Sequence, residues 1–192
     1  LHDGSAATLS AAVQAHSGNT VTGTNLTNLV AYLQQIGNEE AAPTGSITAS
    51  NLALTATLGT SFVSSWESLA AVNNNIVPTS STDNNGGAYG NWDGEANYGL
   101  TNWVSFSWTA ARNISSVEIY WWNDGQGIAT PTAAQVQYWD GQTWRDVTPI
   151  GLQLNQFNVV SFTNVMTSQI RVSMKSLKAT GILEARVWGN AP

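Results

Sequence analysis

Val104-Ser105-Phe106-Ser107-Trp108 and, further along, Val117-Glu118-Ile119-Tyr120-Trp121-Trp122 set a large apolar side chain at every second position. Ile170-Arg171-Val172-Ser173-Met174-Lys175 repeats the pattern. A period of two belongs to an extended strand with one face in a core and the other toward water. Val136 to Trp144 reads as a hairpin, with Asp140-Gly141 supplying the positive φ angles of a tight turn. Short strands separated by Gly- and Asn-rich turns predict an antiparallel β-sandwich from about residue 46 to 192. No repeat of 20–50 residues is visible, which argues against a propeller or a solenoid.

Upstream the period changes. Leu26, Leu29, Val30, Leu33 and Ile36 fall on one face of a helix, with Thr24 placed to cap its start and Gly37 its end. A shorter helix is expected from Thr8, with Leu9 and Val13 inward and His16-Ser17-Gly18-Asn19 closing it. Residues 1–37 are thus a two-helix leader too poor in apolar surface to stand alone, and residues 38–45 read as a linker. The opening Leu1-His2-Asp3-Gly4 is expected to continue a longer polypeptide.

Composition narrows the chemistry. The 192 residues carry only 9% charged side chains, against about 25% in ordinary soluble proteins, so the surface is expected to rest on Ser, Thr, Asn, Gln and Gly. A net charge of −6 offers no basic patch for nucleic acid or an anionic membrane. Without cysteine there is no disulfide, no thiolate metal site and no covalent haem attachment in this chain. The two histidines, His2 and His16, lie in the leader, and no G-x-S-x-G element occurs. The chain is expected to be non-catalytic.

The nine tryptophans and five tyrosines carry the functional signal. An indole face stacks on the apolar face of a sugar ring while neighbouring amides and carboxylates bond its hydroxyls. Trp103, Trp108, Trp121, Trp139, Trp144 and Trp188 lie in or beside strands and are expected to be core or sheet-covering. Trp122 falls on the face opposite Trp121 and precedes Asn123 and Asp124. Trp92 and Tyr98 occupy a long polar loop, and Trp66-Glu67 follows another. Trp92, Trp122, Asn123 and Asp124, then Trp66, Glu67 and Tyr98, are the candidate saccharide-binding residues. Asn73-Asn74-Asn75, with Asp83 and Asp93, offers hard oxygen donors of the kind calcium takes, although such Asn runs are also common in turns.

Trp66-Glu67-Ser68 with Ala71-Val72-Asn73-Asn74-Asn75-Ile76, Gly90-Asn91-Trp92, Tyr120 to Pro131, Asp140-Gly141 with Trp144, and Leu183-Glu184 to Gly189 resemble, in order, the elements of the discoidin (coagulation factor 5/8 C-type) superfamily. The resemblance implies a galactose-binding-like, jelly-roll β-sandwich and a non-catalytic carbohydrate-binding module in a larger secreted protein such as a glycoside hydrolase, the leader implying a haem oxidoreductase instead. It also implies a structural calcium ion held in part by Glu184 and by the residue at position 74. Asn74 stands where the superfamily has Asp, and Asn75 where it has Gly, which removes one charge from that site.

The leader, through Leu1 to Leu9, Ala15 to Gly18 and Leu29 to Leu33, resembles the end of a bacterial di-haem cytochrome c domain. That resemblance implies an extracellular or periplasmic parent with its haem-binding cysteines upstream. The partners expected are a polysaccharide or oligosaccharide and the upstream domain of the same polypeptide. Two other readings stand beside this one: a structural or adhesive sandwich that binds no glycan, and the C-terminal part of a c-type cytochrome electron-transfer protein.

Overall fold

The computed structural model describes residues 8–16, 21–39 and 49–190, with side chains at 8–15, 21–33 and 49–190. The chain divides into two compact units, Leu1–Ile47 and Thr48–Pro192. In the first, α1 (Leu9–His16) and α2 (Gly23–Glu39) touch one another. Thr8 caps α1 by accepting a hydrogen bond from the Ala11 amide at 3.1 Å. Leu26, Leu29, Val30 and Leu33 share the half-buried side of α2. Three leader expectations need correction. Leu9 is exposed. The second helix starts at Gly23 with a positive φ of 60°, so Thr24 lies inside it, and it runs through Gly37 to Glu39. Asn38 and Glu39, expected in the linker, belong to α2, while His2, linker residues 40–45 and the side chains of His16 and Ile36 lie outside the described residues.

The second unit is the antiparallel β-sandwich that the alternation predicts. Its strands are β1 (Ser50–Asn51), β2 (Thr57–Thr60), β3 (Tyr89–Gly90), β4 (Thr101–Trp122), β5 (Ile128–Ala129), β6 (Ala133–Trp139), β7 (Trp144–Pro149), β8 (Phe157–Lys175) and β9 (Ala179–Asn190). The main ladder runs β1-β9-β4-β8-β6-β7, with β2 added to β4 and β3 and β5 added to β9. Among the described strands the short β5–β9 pair is parallel and the others are antiparallel. The strands β4 and β8 are long enough to serve both layers. Residues 104–107 of β4 lie between β2 and β8, whereas residues 116–120 lie between β9 and β8. Register shifts at Ser107/Arg112 and Ile114/Ser116 mark the corner between the two stretches.

The inward positions read from the sequence meet in one core. Val104, Phe106, Trp108, Val136, Ile170, Val172 and Met174 come from one layer, and Val117, Ile119, Trp121, Ile182, Ala185 and Val187 from the other. Two core indoles have bonded N–H groups, Trp108 Nε1 donating to the Leu52 carbonyl at 3.0 Å and Trp121 Nε1 to that of Gly151 at 2.8 Å, whereas Trp188 Nε1 is sealed without a partner. On the outer face, the Arg171 guanidinium stacks 4.2 Å from the Trp144 ring and 5.8 Å from that of Trp103, so these rings cover the sheet as expected.

Two local expectations are revised. The Asp140-Gly141 hairpin is not a two-residue turn. Residues 140–143 form the loop, only Gly141 has positive φ, at 100°, and Asp140 instead accepts the Gln142 and Thr143 amides at 2.9 and 2.8 Å. The second face at the end of β4 is not wet either. Tyr120 and Trp122 are buried in a smaller cluster with Ala88, Ile128, Ala179 and Leu183, because the chain after β4 folds back over that face.

Trp121 should therefore be the most costly single truncation of the sandwich. Trp121→Ala is expected to lower stability by about 3–5 kcal/mol, read as the shift in a denaturant-unfolding midpoint; a loss below about 1 kcal/mol would contradict its place at the centre of the core.

Candidate functional site

The site is built on an arch. Ser64 donates its amide to the Gly90 carbonyl and Ser68 its amide to the Ala88 carbonyl, both at 2.9 Å, so residues 64–68 are pinned at both ends to the β3 segment. Between the pins the chain must bulge outward, and Trp66 stands at the crest, 74% exposed. Trp92 follows Asn91, which is completely buried. The Asn91 side-chain oxygen accepts the Thr180 amide at 2.6 Å, its own amide donates to the Thr180 carbonyl at 3.1 Å, and its carbonyl accepts from Asn97 Nδ2 at 2.8 Å. This lattice fixes Trp92 next to the arch. The two indoles lie 4.9 Å apart, centroid to centroid, at 49°.

The opposite wall is the turn after β4. Asn123 Oδ1 accepts the Gly125 amide at 2.9 Å, and Asp124 Oδ1 accepts the amides of Gln126 and Ile128 at 2.7 and 2.9 Å. Gly125 takes a positive φ of 73° to close the turn. A Cβ on Gly127 would lie 3.4 Å from the Trp92 ring, so the indole edge rests directly on that backbone. Trp66, Glu67, Trp92, Asp124, Gln126, Gly127 and Ile128 enclose a cleft of about 340 Å³. On the other side of the arch, Trp66 and Glu67 also line a cleft of about 510 Å³ with Ser68, Asn84, Gly87, Ala88 and Trp122. The Glu67 stem packs over Gly90, and its Oε2 is closed off from solvent with no hydrogen-bond partner.

The candidate residues thus separate. Trp66, Glu67, Trp92 and Asp124 share one cleft. Asn123 faces the adjoining cleft that Leu177 and Lys178 line. Tyr98, half-buried in its loop, lines none of these three clefts. Trp122 is corrected as an open platform: it is 6% exposed, with its ring against Gly181 and Gly90. It supports the site from beneath and shows only an edge to the larger cleft. Gln126 and Asn84 are cleft residues that pattern reading did not single out. The signal for Gln126 lay in its turn, next to Asn123 and Asp124, while Asn84 carried none beyond its polar run.

Residues 73–87 form the neighbouring loop. Asp83 ties it together by accepting from the Thr79 amide and hydroxyl and from Asn85 Nδ2 at 2.9, 2.7 and 2.7 Å, and these bonds hold its carboxyl at about 2. Asn74 is engaged at both ends, accepting the Ile76 amide at 2.8 Å and donating to the Gly86 carbonyl at 2.7 Å. Asn75 occupies the left-handed region at φ 64°, a conformation that glycine adopts freely and asparagine tolerates. Glu184 is 0% exposed beside this loop, and neither carboxylate oxygen has a hydrogen-bond partner of good geometry. Burial pushes its pKa up to about 7, opposed by the Arg186 charge and by the nearby amides of Asn75 and Asn74. Among the described residues no three His, Asp or Glu side chains gather as a metal cage.

No family model and no curated protein matches the sequence. Solved structures do match the fold. A domain of the Streptococcus pneumoniae β-galactosidase BgaA superposes with a TM-score of 0.59 at 17% identity, over 69% of this chain and 90% of that one. The family 32 carbohydrate-binding module of Clostridium perfringens NanJ, solved with galactose, gives 0.57 at 13% identity, over 73% and 98%. Chitosan-binding module 1 of a Paenibacillus sp. IK-5 chitosanase/glucanase gives 0.55 at 15% identity, over 73% and 99%. At these identities the likeness is one of architecture: the β unit shares the β-sandwich fold of these domains.

Proposed function

We propose that the β unit is a non-catalytic carbohydrate-binding module, in which Trp66 and Trp92 form the stacking platform and Glu67, Asp124 and Gln126 the polar rim. The observation that carries this reading is the exposure of Trp66, an indole held out on an arch pinned at both ends beside a second ring. Fold neighbours that bind galactose and GalNAc-β-1,3-galactose support it. A shallow site of this size gives modest affinity for a single sugar, so its use is to hold an attached domain near a polysaccharide and raise its local concentration. The parent in this reading is a bacterial secreted or periplasmic protein, and the leader's cytochrome-like resemblance makes a haem domain upstream the proposed companion. A purely structural module would have its rings walled in, and the openness of Trp66 favours recognition over that alternative.

We propose also that a structural calcium ion is held at Glu184. A sealed carboxylate that faces the loop amides of Asn74 and Asn75 but takes no hydrogen bond of good geometry fits a cation. Asn74 does not fit as a side-chain ligand, since its oxygen and nitrogen are both in use, and backbone carbonyls of the loop would supply the remaining donors. Bound calcium would neutralise the carboxylate and fasten residues 73–76 to β9.

Two outcomes follow. Trp66→Ala is expected to weaken oligosaccharide binding roughly tenfold, equivalent to about 1.4 kcal/mol, with stability unchanged within about 0.5 kcal/mol. Trp92→Ala should weaken it similarly. Isothermal titration across a glycan panel reads this, and undiminished binding in the double variant would remove the platform. For Glu184 the raised pKa means that the folded chain holds a proton the unfolded chain releases. Without metal, the stability this proton gives is complete below about 4.5 and is lost as pH rises through about 7. Thermal unfolding in chelator should therefore show a decline of order 2 kcal/mol between about pH 5 and 7.5. Added calcium should restore Tm at the upper pH and do little at the lower, where the proton competes. A calcium response that survives Glu184→Gln would exclude this residue as the ligand.

A further inference from the structure

We propose, building on the saccharide-binding reading, that the site prefers a sugar bearing a positive charge: an amino sugar with a free ammonium group, received by the Glu67 carboxylate beside Trp66. The two clefts that meet at the arch contain carboxylates from Glu67 and Asp124 and no Lys or Arg among the side chains that line them. The two acids differ in what they still have to bond. Asp124 is committed to its own turn through the Gln126 and Ile128 amides. Glu67 accepts no such bond at Oε2, which is shut off from water, so a donor reaching its other oxygen from the cleft meets a carboxylate not committed to the protein's own amides.

Position adds to charge. Glu67 lines both clefts, so a chain of sugars crossing the arch passes it whichever ring stacks on Trp66. The ammonium of a stacked amino sugar would also lie near the faces of Trp66 and Trp92, whose 4.9 Å pairing makes a continuous aromatic surface attractive to cations. The same carboxylates repel uronic acids and sulfated sugars. The chain's net charge of −6 adds a long-range term of the same sign.

The experiment is isothermal titration of the full chain with a glucosamine oligomer, with the N-acetylglucosamine oligomer of equal length and with a neutral galactose oligomer, at low and raised salt. The expected result is binding of the glucosamine oligomer roughly tenfold tighter than its acetylated counterpart, the scale of one charge-assisted hydrogen bond. That preference should shrink in salt and disappear in Glu67→Gln, a variant that keeps the side chain's shape. Trp66→Ala should weaken all ligands alike. Equal or tighter binding of the acetylated oligomer, or a preference that persists in Glu67→Gln, overturns the amino-sugar assignment. If neutral oligomers then still bind through Trp66, the saccharide-binding reading stands without it. If no oligomer binds at all, both fall.

Discussion

The contact on which the site depends is the packing of Trp122 against bare backbone. Its ring lies on Gly181 of β9 and Gly90 of β3, close enough that a Cβ on Gly181 would come within 2.7 Å of it, and Ile128 closes the same cluster. One side chain thus draws together β9, β3 and the start of β5. From these three segments hang the parts of the cleft: Trp92 immediately after β3, the arch bonded to Ala88 and Gly90, and the Asn123–Ile128 turn. Apolar burial is non-directional, so it is the two glycines and the Asn91 hydrogen bonds that convert this burial into a fixed position for Trp92.

The sandwich was legible because β4 and β8 obey a period of two over most of their length, and burying one face of each leaves few alternatives. The inward sets Val104/Phe106/Trp108 and Ile170/Val172/Met174 could be read directly. Trp122 could not. Alternation told correctly that it opposes Trp121, but whether that opposite face meets water depends on where residues 123–131 return, which is tertiary information with no local signature. The converse holds for Trp66. Nothing in Ser65-Trp66-Glu67 says that the ring is open, since the exposure arises from bonds made by Ser64 and Ser68 to the β3 segment twenty or more residues later. The leader fails for a different reason: helix ends depend on individual caps, and Gly23 rather than Thr24 opens α2.

Scarcity of charge is answered by amides. Among the described residues two ion pairs are formed, Arg145–Asp140 and Arg186–Glu118, while Asn, Asp, Ser and Thr side chains satisfy backbone groups throughout. Asn158 accepts the Gln153 amide and donates to the Ile119 and Gln153 carbonyls, fastening a loop to β4. Asn73 donates to the Ala53 carbonyl at 2.6 Å. A neutral amide offers donor and acceptor together and loses little on burial when both are used, whereas a buried ion must be compensated by a partner or a proton. That rule makes the exceptions informative.

Glu184 and Glu67 are two such exceptions, and their surroundings lead them to different resolutions. Glu184 is sealed, so its charge can be relieved only by something small that enters the fold, a proton or a bare cation. Glu67 is sealed on one oxygen and stands where two clefts meet, so what relieves it can be as large as a sugar and arrive from solution. Glu184 lies on β9 beside the 73–76 loop, and its proposed action is on stability. Glu67 lines both clefts beside an exposed indole, and its proposed action is on what is bound. A sealed carboxylate oxygen without a good partner is costlier to folding than the neutral amide and indole atoms of Asn51, Asn102, Trp188 and Asn190 that are also left unpaired, and in the proposed readings a ligand that supplies positive charge offsets that cost at both acids.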